Sequence, residues 1–272
     1  MKTYCFASNT ELFVVPAKDG RTDLDALKEA IGDDAACFYL QQPNYFGQIE
    51  DAKAAGEIVH AAGAKFVMGV NPIACAILPT PRAMGADVAV GDGQPLGLDT
   101  AFGGPFLGFM ATTSAMTRKL PGRIVGQTKD VDGEIGYVLT LSAREQHIRR
   151  EKANSNICSN QSLMALYVTI YLSLMGKKGL RQVCDLSYGA AHYLHDRLIE
   201  TGLFSEAFNR PFLKEFALHT DIPADRLQQA LLDGGFFGAL PTEEGLVTFC
   251  ATERRTREEI DRMIDLIKQI QL

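Results

Sequence analysis

The stretch from Gly85 to Phe109, GADVAVGDGQPLGLDTAFGGPFLGF, has the composition of a ligand-binding loop that lacks a nucleophile. It places an acid and an amide among glycines but contains no Lys, Arg, His or Cys. In open α/β sheets, ligands bind at the carboxyl ends of strands, and residues 91–97 follow a short apolar run typical of a strand. The spacing of Gly91, Gly93 and Gly97 does not match the dinucleotide fingerprint G-x-G-x-x-G. From these residues alone, a binding loop and a structural turn are equally favoured.

Two further segments have the composition of turns. Gly103-Gly104 before Pro105 predicts a tight turn that lets another part of the backbone approach closely. DVDGE, residues 130–134, is faintly similar to a calcium loop, but the third acidic position and the distal Glu are missing. A hairpin turn at Asp132-Gly133 is therefore favoured over a metal site.

Positive charge is concentrated in two short segments. In REQHIRREK, residues 144–152, helical spacing would place His147 and Glu151 on one face. This segment is either a solvated helix with intrahelical ion pairs or a surface for an anionic ligand or acidic partner. RKLPGR, residues 118–123, offers three cations around a Pro-Gly turn, which could reach an anionic ligand or another subunit, and simple surface placement is equally favoured.

The bulk composition excludes some classes of protein. The chain has 272 residues and a net charge of −6, which argues against a nucleic-acid binder because such proteins need a basic face. The longest apolar run, residues 163–175, is too short to span a membrane, and the N-terminal residues do not form a secretion signal. A cytoplasmic protein is therefore expected, with cysteines that are reduced and mostly buried. They are Cys5, Cys37, Cys75, Cys158, Cys184 and Cys250.

The first half of the chain alternates between strand and helix patterns, which indicates parallel βαβ units. Thr22, with Asp25 three residues later, predicts the cap of the first helix. Residues 35–41 have the continuous apolar pattern of a strand buried on both faces. The predicted strands are 11–17, 35–41, 65–70, 86–91 and 107–113, and the predicted helices are 23–31, 50–62 and the short 114–120.

The second half begins with a hairpin over 124–141 and a charged helix over 142–152. An apolar helix over 161–175 should end at Gly176. The pattern then changes to a long helix followed by short strands at 215–220 and 246–250, which is typical of a smaller α+β domain. Thr256 and Glu259 predict a capping box for the last helix. We therefore expect an α/β domain over 1–177 and an α+β domain over 178–272.

One long segment carries a specific family resemblance. LPGRIVGQTKDVDGEIGYVLTLSAREQHIRREKANSNICSNQSL, with QQPNYFGQIED and GADVAVGDGQPLG, resembles the glycine cleavage system P-protein, the decarboxylating glycine dehydrogenase. The similarity is to the subunit 1, or α-type, chain of the two-subunit bacterial form, and it runs from about Glu11 to the end. It implies the aspartate-aminotransferase-like fold, fold type I of pyridoxal phosphate enzymes. It also implies a C-terminal fragment, with part of the mostly parallel large domain and a smaller C-terminal domain.

The resemblance also implies a role for the glycine-rich loop. In the catalytic subunit of the family, the segment that corresponds to DGQPLG holds the Schiff-base lysine, preceded by a histidine. Aligned on the shared Gly-Ala-Asp, that lysine falls on Pro95 and the histidine on Gln94. Proline has no amine, and the chemistry requires a desolvated lysine. The resemblance therefore implies no catalytic residue on this chain and pyridoxal phosphate held by a partner subunit.

The implied partners are the lysine-bearing subunit 2 of the P-protein, the lipoyl H-protein and glycine, with no nucleic acid and no membrane. In the family's reaction, glycine is decarboxylated with pyridoxal phosphate and its aminomethyl group passes to the lipoyl arm of H-protein. The cations of this chain are expected to steer the acidic carrier or to line the substrate entrance. These candidates are Arg118, Lys119, Arg123, His147, Arg149, Arg150 and Lys152.

Three alternatives remain open at this level. The chain could be a purely structural assembly subunit of a heterotetramer. It could be an inactive truncated binding module, whose missing strands would expose apolar sheet edges. It could also be a separate catalyst that uses Lys65 or Lys119, although neither residue falls at the family's lysine position.

Overall fold

The computed structural model describes residues 1–121, 124–140, 149–153 and 161–270. Within these residues, the helices are α1 (Lys2–Ala7), α2 (Leu24–Ala30), α3 (Ala52–Ala61), α4 (Ser162–Glu200), α5 (Ala224–Asp233) and α6 (Arg257–Ile267). The strands are β1 (Ala17–Lys18), β2 (Arg21–Thr22), β3 (Cys37–Gln42), β4 (Lys65–Val70), β5 (Val88–Asp92), β6 (Gly108–Thr112), β7 (Ile124–Lys129), β8 (Ile135–Thr140), β9 (Phe204–Glu206), β10 (Glu215–Thr220), β11 (Leu240–Pro241) and β12 (Val247–Cys250). Short 3-10 turns span Ala74–Ala76, Ser114–Lys119 and Arg150–Lys152.

The first sheet has the order β3-β4-β5-β6 and is mixed but mostly parallel. β3 pairs with β4 and β4 with β5 in parallel, whereas β6 returns antiparallel to β5. Helices α2 and α3 cover one face, and their core includes Leu27, Val59, Phe66 and Met68. Gly56 lets α3 lie close to β4 and to the loop before β5, since a Cβ there would be 3.0 Å from the Phe66 ring and 2.9 Å from the Met84 carbonyl oxygen. The predicted α/β class is confirmed.

The prediction that the strand at 35–41 is buried on both faces is wrong. β3 alternates between exposed and covered positions, with Leu40 and Gln42 buried while Cys37, Tyr39 and Gln41 are exposed. The reason is that, among the described residues, β3 pairs with β4 alone, at the edge of the sheet, and the helices cover just one of its faces.

Two predictions near the start of the chain are also wrong. Residues 11–16 form no strand, because only Ala17–Lys18 finds a partner, in β2, and Phe13 and Val14 stay exposed. The cap of α2 is Asp23 rather than Thr22, since the Asp23 carboxylate accepts the N–H groups at the first turn of the helix. The Thr22 N–H donates to Glu50 instead.

The second sheet has the order β11-β12-β10-β9 and is antiparallel. Its core includes Phe216, Leu218, Leu231 and Ile264, where the sheet packs against α5, α6 and the second half of α4. The predicted strands at 215–220 and 246–250 are confirmed. So is the Thr256–Glu259 capping box, in which each residue's side chain accepts the other's backbone N–H.

Helix α4 is broken at the glycine that the sequence singled out. Gly176 has φ 59° and ψ −175°, outside helical geometry, so the predicted stop appears as a kink between two helical segments. Residues on both sides of the kink, Val168 and Cys184 among them, join a third core with Leu96 and Leu213. The division of the chain at 177/178 stays a prediction.

The hairpin over 124–141 is confirmed as β7 and β8, and the Asp130 carboxylate accepts the N–H groups of Asp132 and Glu134 across its turn. Most of the predicted helix at 142–152 lies outside the described residues. In the described part of the chain, no helix is long and apolar enough to cross a membrane.

The prediction of mostly buried cysteines is wrong. The described residues include five cysteines, and all five are free thiols. Among these five, only Cys184 is buried, whereas Cys37 and Cys250 are exposed on their strands.

Candidate functional site

A cleft opens at the carboxyl ends of β3, β4 and β5, the edge at which α/β sheets bind ligands. It has a volume of about 290 Å³. Strand ends, the following loops and one residue of β10 form its walls. The lining residues are Tyr39, Gln41, Pro43, Gly69, Val70, Asn71, Pro72, Val90, Gly91, Asp92, Pro95 and Glu215.

The glycine-rich loop after β5 is folded on itself by short-range hydrogen bonds. Asp92 Oδ1 accepts the Gln94 N–H at 2.6 Å, and the Leu96 N–H donates to the Gly93 carbonyl at 2.9 Å. The Gln94 side chain donates from Nε2 to the Leu98 carbonyl at 3.1 Å. The Gln94 side chain is thereby bonded within the loop, whereas Pro95 lines the cleft.

Close packing explains one glycine of the cleft wall and one glycine of the loop beside it. The Tyr39 hydroxyl lies so close to Gly69 that a Cβ at Gly69 would collide with it. Gly97 has φ +86° and lies under the Tyr171 ring, where a Cβ would also collide. Position 69 therefore requires glycine for space alone, whereas position 97 requires it for both space and backbone conformation.

Behind the cleft, a buried polar network holds the loop after β3. The Glu50 carboxylate accepts the Thr22 N–H at 3.1 Å and the Asn44 Nδ2 group at 2.8 Å. Gln42 Oε1 accepts the Glu50 N–H at 2.8 Å. Since Glu50 and Gln42 are less than 9% exposed, these bonds are made in a low-dielectric environment and fix the rim at Pro43.

The charge of the cleft is negative. Among the described residues that line it, the ionisable groups are Asp92, Glu215 and the Tyr39 phenol, and none is Lys, Arg or His. Burial raises the pKa of Tyr39, which keeps the phenol neutral. Lys214 does not line the cleft, but its Nζ lies 3.6 Å from Glu215 Oε1 and offsets part of that charge.

Pyridoxal phosphate does not fit the groups that this cleft presents. A phosphate would face two carboxylates with no lining cation, and position 95 offers a ring carbon where an amine is needed. No chemical step can therefore be assigned to a cofactor bound by these residues.

Of the predicted partner residues, Arg118 and Lys119 are exposed in the 3-10 turn after β6. Arg149, Arg150 and Lys152 are exposed in and beside the turn at 150–152. Arg123 and His147 lie outside the described residues, and the role of these seven side chains at a partner surface or the substrate entrance stays a prediction.

The prediction that the Gly103-Gly104 turn allows a close backbone approach is wrong. A Cβ on either glycine would meet no atom of the described residues within 4 Å. The glycines are explained by conformation, since their φ angles of +117° and +140° lie in a region that other residues rarely adopt.

Sequence reasoning missed Tyr39, Asn71 and Glu215. Asn71 directly follows the predicted strand 65–70, so the strand-end rule that located residues 91–97 could have identified it, whereas Tyr39 lies in the middle of its strand. Glu215 had no such signal, because it comes from the second sheet and reaches the cleft only through tertiary packing.

A second ionisable cluster lies at the opposite, amino end of β5. The Asp87 carboxylate accepts the Phe66 N–H at 3.0 Å and lies 3.0 Å from His60 Nε2 and 3.3 Å from Lys65 Nζ. Burial opposes ionisation, but these hydrogen bonds and the lysine charge outweigh it, so the pKa of Asp87 is lowered. The cluster ties α3 to β4 and β5.

Comparison with known proteins identifies the family. The family model described as glycine cleavage system P-protein matches residues 1–267. The chain is 46% identical over 276 residues to the probable glycine dehydrogenase (decarboxylating) subunit 1 of Moorella thermoacetica, covering 99% of this chain and 62% of that protein. It is 44% identical over 270 residues to the protein of the same name from Desulfitobacterium hafniense, covering 97% of this chain and 60% of that protein. The chain thus spans about 60% of the length of these relatives.

Solved structures agree with this assignment. A crystal structure of glycine decarboxylase (P-protein) of the glycine cleavage system, in inhibitor-bound form, superposes with a TM-score of 0.93 at 41% identity, over 98% of this chain and 61% of that one. A NifS-like protein from Rickettsia africae shares the fold alone, with a TM-score of 0.72 at 13% identity, over 98% of this chain and 71% of that one. The expected fold type I architecture of pyridoxal phosphate enzymes is confirmed. The chain belongs to the glycine cleavage system P-protein family.

Proposed function

We propose that this chain serves as the subunit of decarboxylating glycine dehydrogenase that lacks the catalytic lysine. In this role it supports the decarboxylation of glycine and the transfer of the aminomethyl group to lipoyl H-protein, in the cytoplasm. Its relatives are named as subunit 1 of that enzyme, which supports pairing with a second subunit. The observation that carries the proposal is the cleft at the carboxyl ends of β3–β5, where Pro95 lines the wall and none of the described lining residues is a lysine.

The proposal places pyridoxal phosphate on the partner subunit. When bound there, the cofactor would act as the electron sink for loss of carbon dioxide. The residues of this chain would shape the shared entrance. The division into 1–177 and 178–272 belongs to the same proposal, with the Gly176 kink as its support.

The cofactor content of the reconstituted assembly tests this proposal. The chain is mixed with a subunit 2 partner, the assembly is purified, and pyridoxal phosphate is released and quantified per pair of chains. We expect about one equivalent per pair, since only the partner would hold the cofactor. Two equivalents per pair, or failure of the chains to associate, would contradict the proposal.

The candidate cations carry the second part of the proposal, which is electrostatic steering of the acidic carrier. Substituting Arg123 and Arg150 together is expected to lower carrier-dependent turnover about tenfold at low salt, and less at high salt because exposed charges are screened. Arg226→Ala together with Arg254→Ala, which removes two exposed cations elsewhere on the chain, is the control matched in charge. Equal turnover and an equal salt response in both variants would refute steering.

A further inference from the structure

We infer that Asp92 and Glu215 exclude phosphate-bearing pyridoxal compounds from the cleft at the carboxyl ends of β3–β5. The absence of a lysine would then be only one of two barriers to cofactor binding. The inference deepens the proposed function and rests on it. It also predicts that restoring an amine at position 95 leaves the cleft selective against the phosphate.

The two carboxylates line the cleft together with Pro95, but they belong to different structural elements. Asp92 ends β5, and its Oδ1 is held by the Gln94 N–H at 2.6 Å, so the loop fixes this carboxylate at the wall. Within the described residues, Asp92 has no salt-bridge partner. Its charge is therefore balanced only by solvent and by one backbone dipole.

Glu215 is a weaker barrier than Asp92. It begins β10, and the Lys214 ammonium lies within ion-pair range of its Oε1. The Lys214 side chain is 15% exposed and does not line the cleft, so it lowers the local negative potential without offering a phosphate contact there. Neutralising Asp92 should therefore change phosphate selectivity more than neutralising Glu215.

The size of the effect follows from Coulomb's law. A phosphate dianion within roughly 8 Å of one or two carboxylates is repelled enough to weaken binding about tenfold in a largely solvated cleft. Salt reduces this repulsion, because the Debye length falls from about 10 Å at 0.1 M to about 3 Å at 1 M ionic strength. Pyridoxal has the same ring and aldehyde but no phosphate, so its binding does not include the repulsion between the phosphate and the carboxylates.

The test compares pyridoxal phosphate with pyridoxal as probes of the Pro95→Lys chain. Each is trapped with borohydride over a concentration series, and the modified peptide is quantified by mass. The ratio of the two apparent affinities is then measured again with Asp92→Asn, with Glu215→Gln and with both. Comparing ratios between variants removes the intrinsic difference in reactivity of the two aldehydes.

We expect the double substitution to shift the ratio about tenfold toward pyridoxal phosphate, with most of the shift from Asp92→Asn and a smaller shift at 1 M salt. The control is Asp132→Asn with Glu134→Gln, which removes two exposed carboxylates of the β7–β8 turn and should leave the ratio unchanged. If Pro95→Lys fails to fold, the same ratio is obtained by equilibrium dialysis of both probes against variants that keep Pro95.

An unchanged ratio in the Asp92→Asn, Glu215→Gln variant would overturn the inference, as would an equal shift in the control. That result would leave the proposed function intact, because the proposed function concerns the native chain with Pro95. Two cofactor equivalents per pair of native chains would instead refute the proposed function and the inference together.

Discussion

Strand β5 has an aspartate near each end, and their surroundings differ. Asp87, just before the strand, accepts a backbone N–H and faces a histidine and a lysine. Asp92, at the end of the strand, accepts one N–H of its own loop and lines the cleft. The Asp87 carboxylate stabilises the contact between α3 and the sheet, whereas the Asp92 carboxylate contributes its negative charge to the cleft. The amino end of β5 is thus used for packing, whereas its carboxyl end faces the cleft.

Removing the two carboxylates should affect stability very differently. Asp87→Ala is expected to lower the free energy of unfolding by about 2–3 kcal/mol, because it leaves the partly buried Phe66 N–H without an acceptor and removes the ion pair with Lys65 and the hydrogen bond with His60. Asp92→Ala should cost about 1 kcal/mol or less, the cost of one exposed loop hydrogen bond. Urea unfolding of both variants measures the difference, and equal losses would break the comparison.

The Tyr39–Gly69 contact should make the cleft wall intolerant of side chains. Gly69→Ala is expected to cost about 1–3 kcal/mol of unfolding free energy, because the new Cβ collides with the Tyr39 hydroxyl. Tyr39→Phe removes that hydroxyl, so the double variant should recover part of the loss. Independent, additive losses in this double-mutant cycle would show that the hydroxyl is not the obstacle.

The lowered pKa of Asp87 gives a smaller, pH-dependent effect. A carboxyl whose pKa is lower in the folded state stabilises the fold above its unfolded value, and that contribution is lost as pH falls through the folded pKa. The loss should therefore occur below about pH 4. Unfolding free energies measured from pH 6 down to pH 3 should fall less steeply in Asp87→Asn than in the native chain. Parallel curves would show that Asp87 makes no such contribution.

Sequence patterns predicted the elements whose determinants are local. The Thr256–Glu259 capping box, the Gly176 break and the turn at Asp132-Gly133 each depend on a few neighbouring residues and were confirmed. Residues 11–17 have strand propensity, but a strand also needs a neighbour, which only Ala17–Lys18 finds. Strand propensity carries no information about such pairing.

The candidate site was predictable to a similar extent. The rule that ligands bind at strand ends directed attention to residues 91–97, of which Gly91, Asp92 and Pro95 line the cleft. Glu215 could not be found, because its position depends on how β10 of the second sheet packs against the first. The resemblance supplied the significance of Pro95, which composition alone would not have shown.

The most direct test of the central claim, that this chain pairs with a lysine-bearing subunit and holds no covalent cofactor, is a labelling measurement. The purified native chain is incubated with pyridoxal phosphate, reduced with borohydride and mapped by peptide mass, then mapped again with subunit 2 present. We expect no specific label on this chain and one labelled lysine on the partner. A single stoichiometric label on a lysine of this chain would contradict the account and identify the chain as a catalyst in its own right.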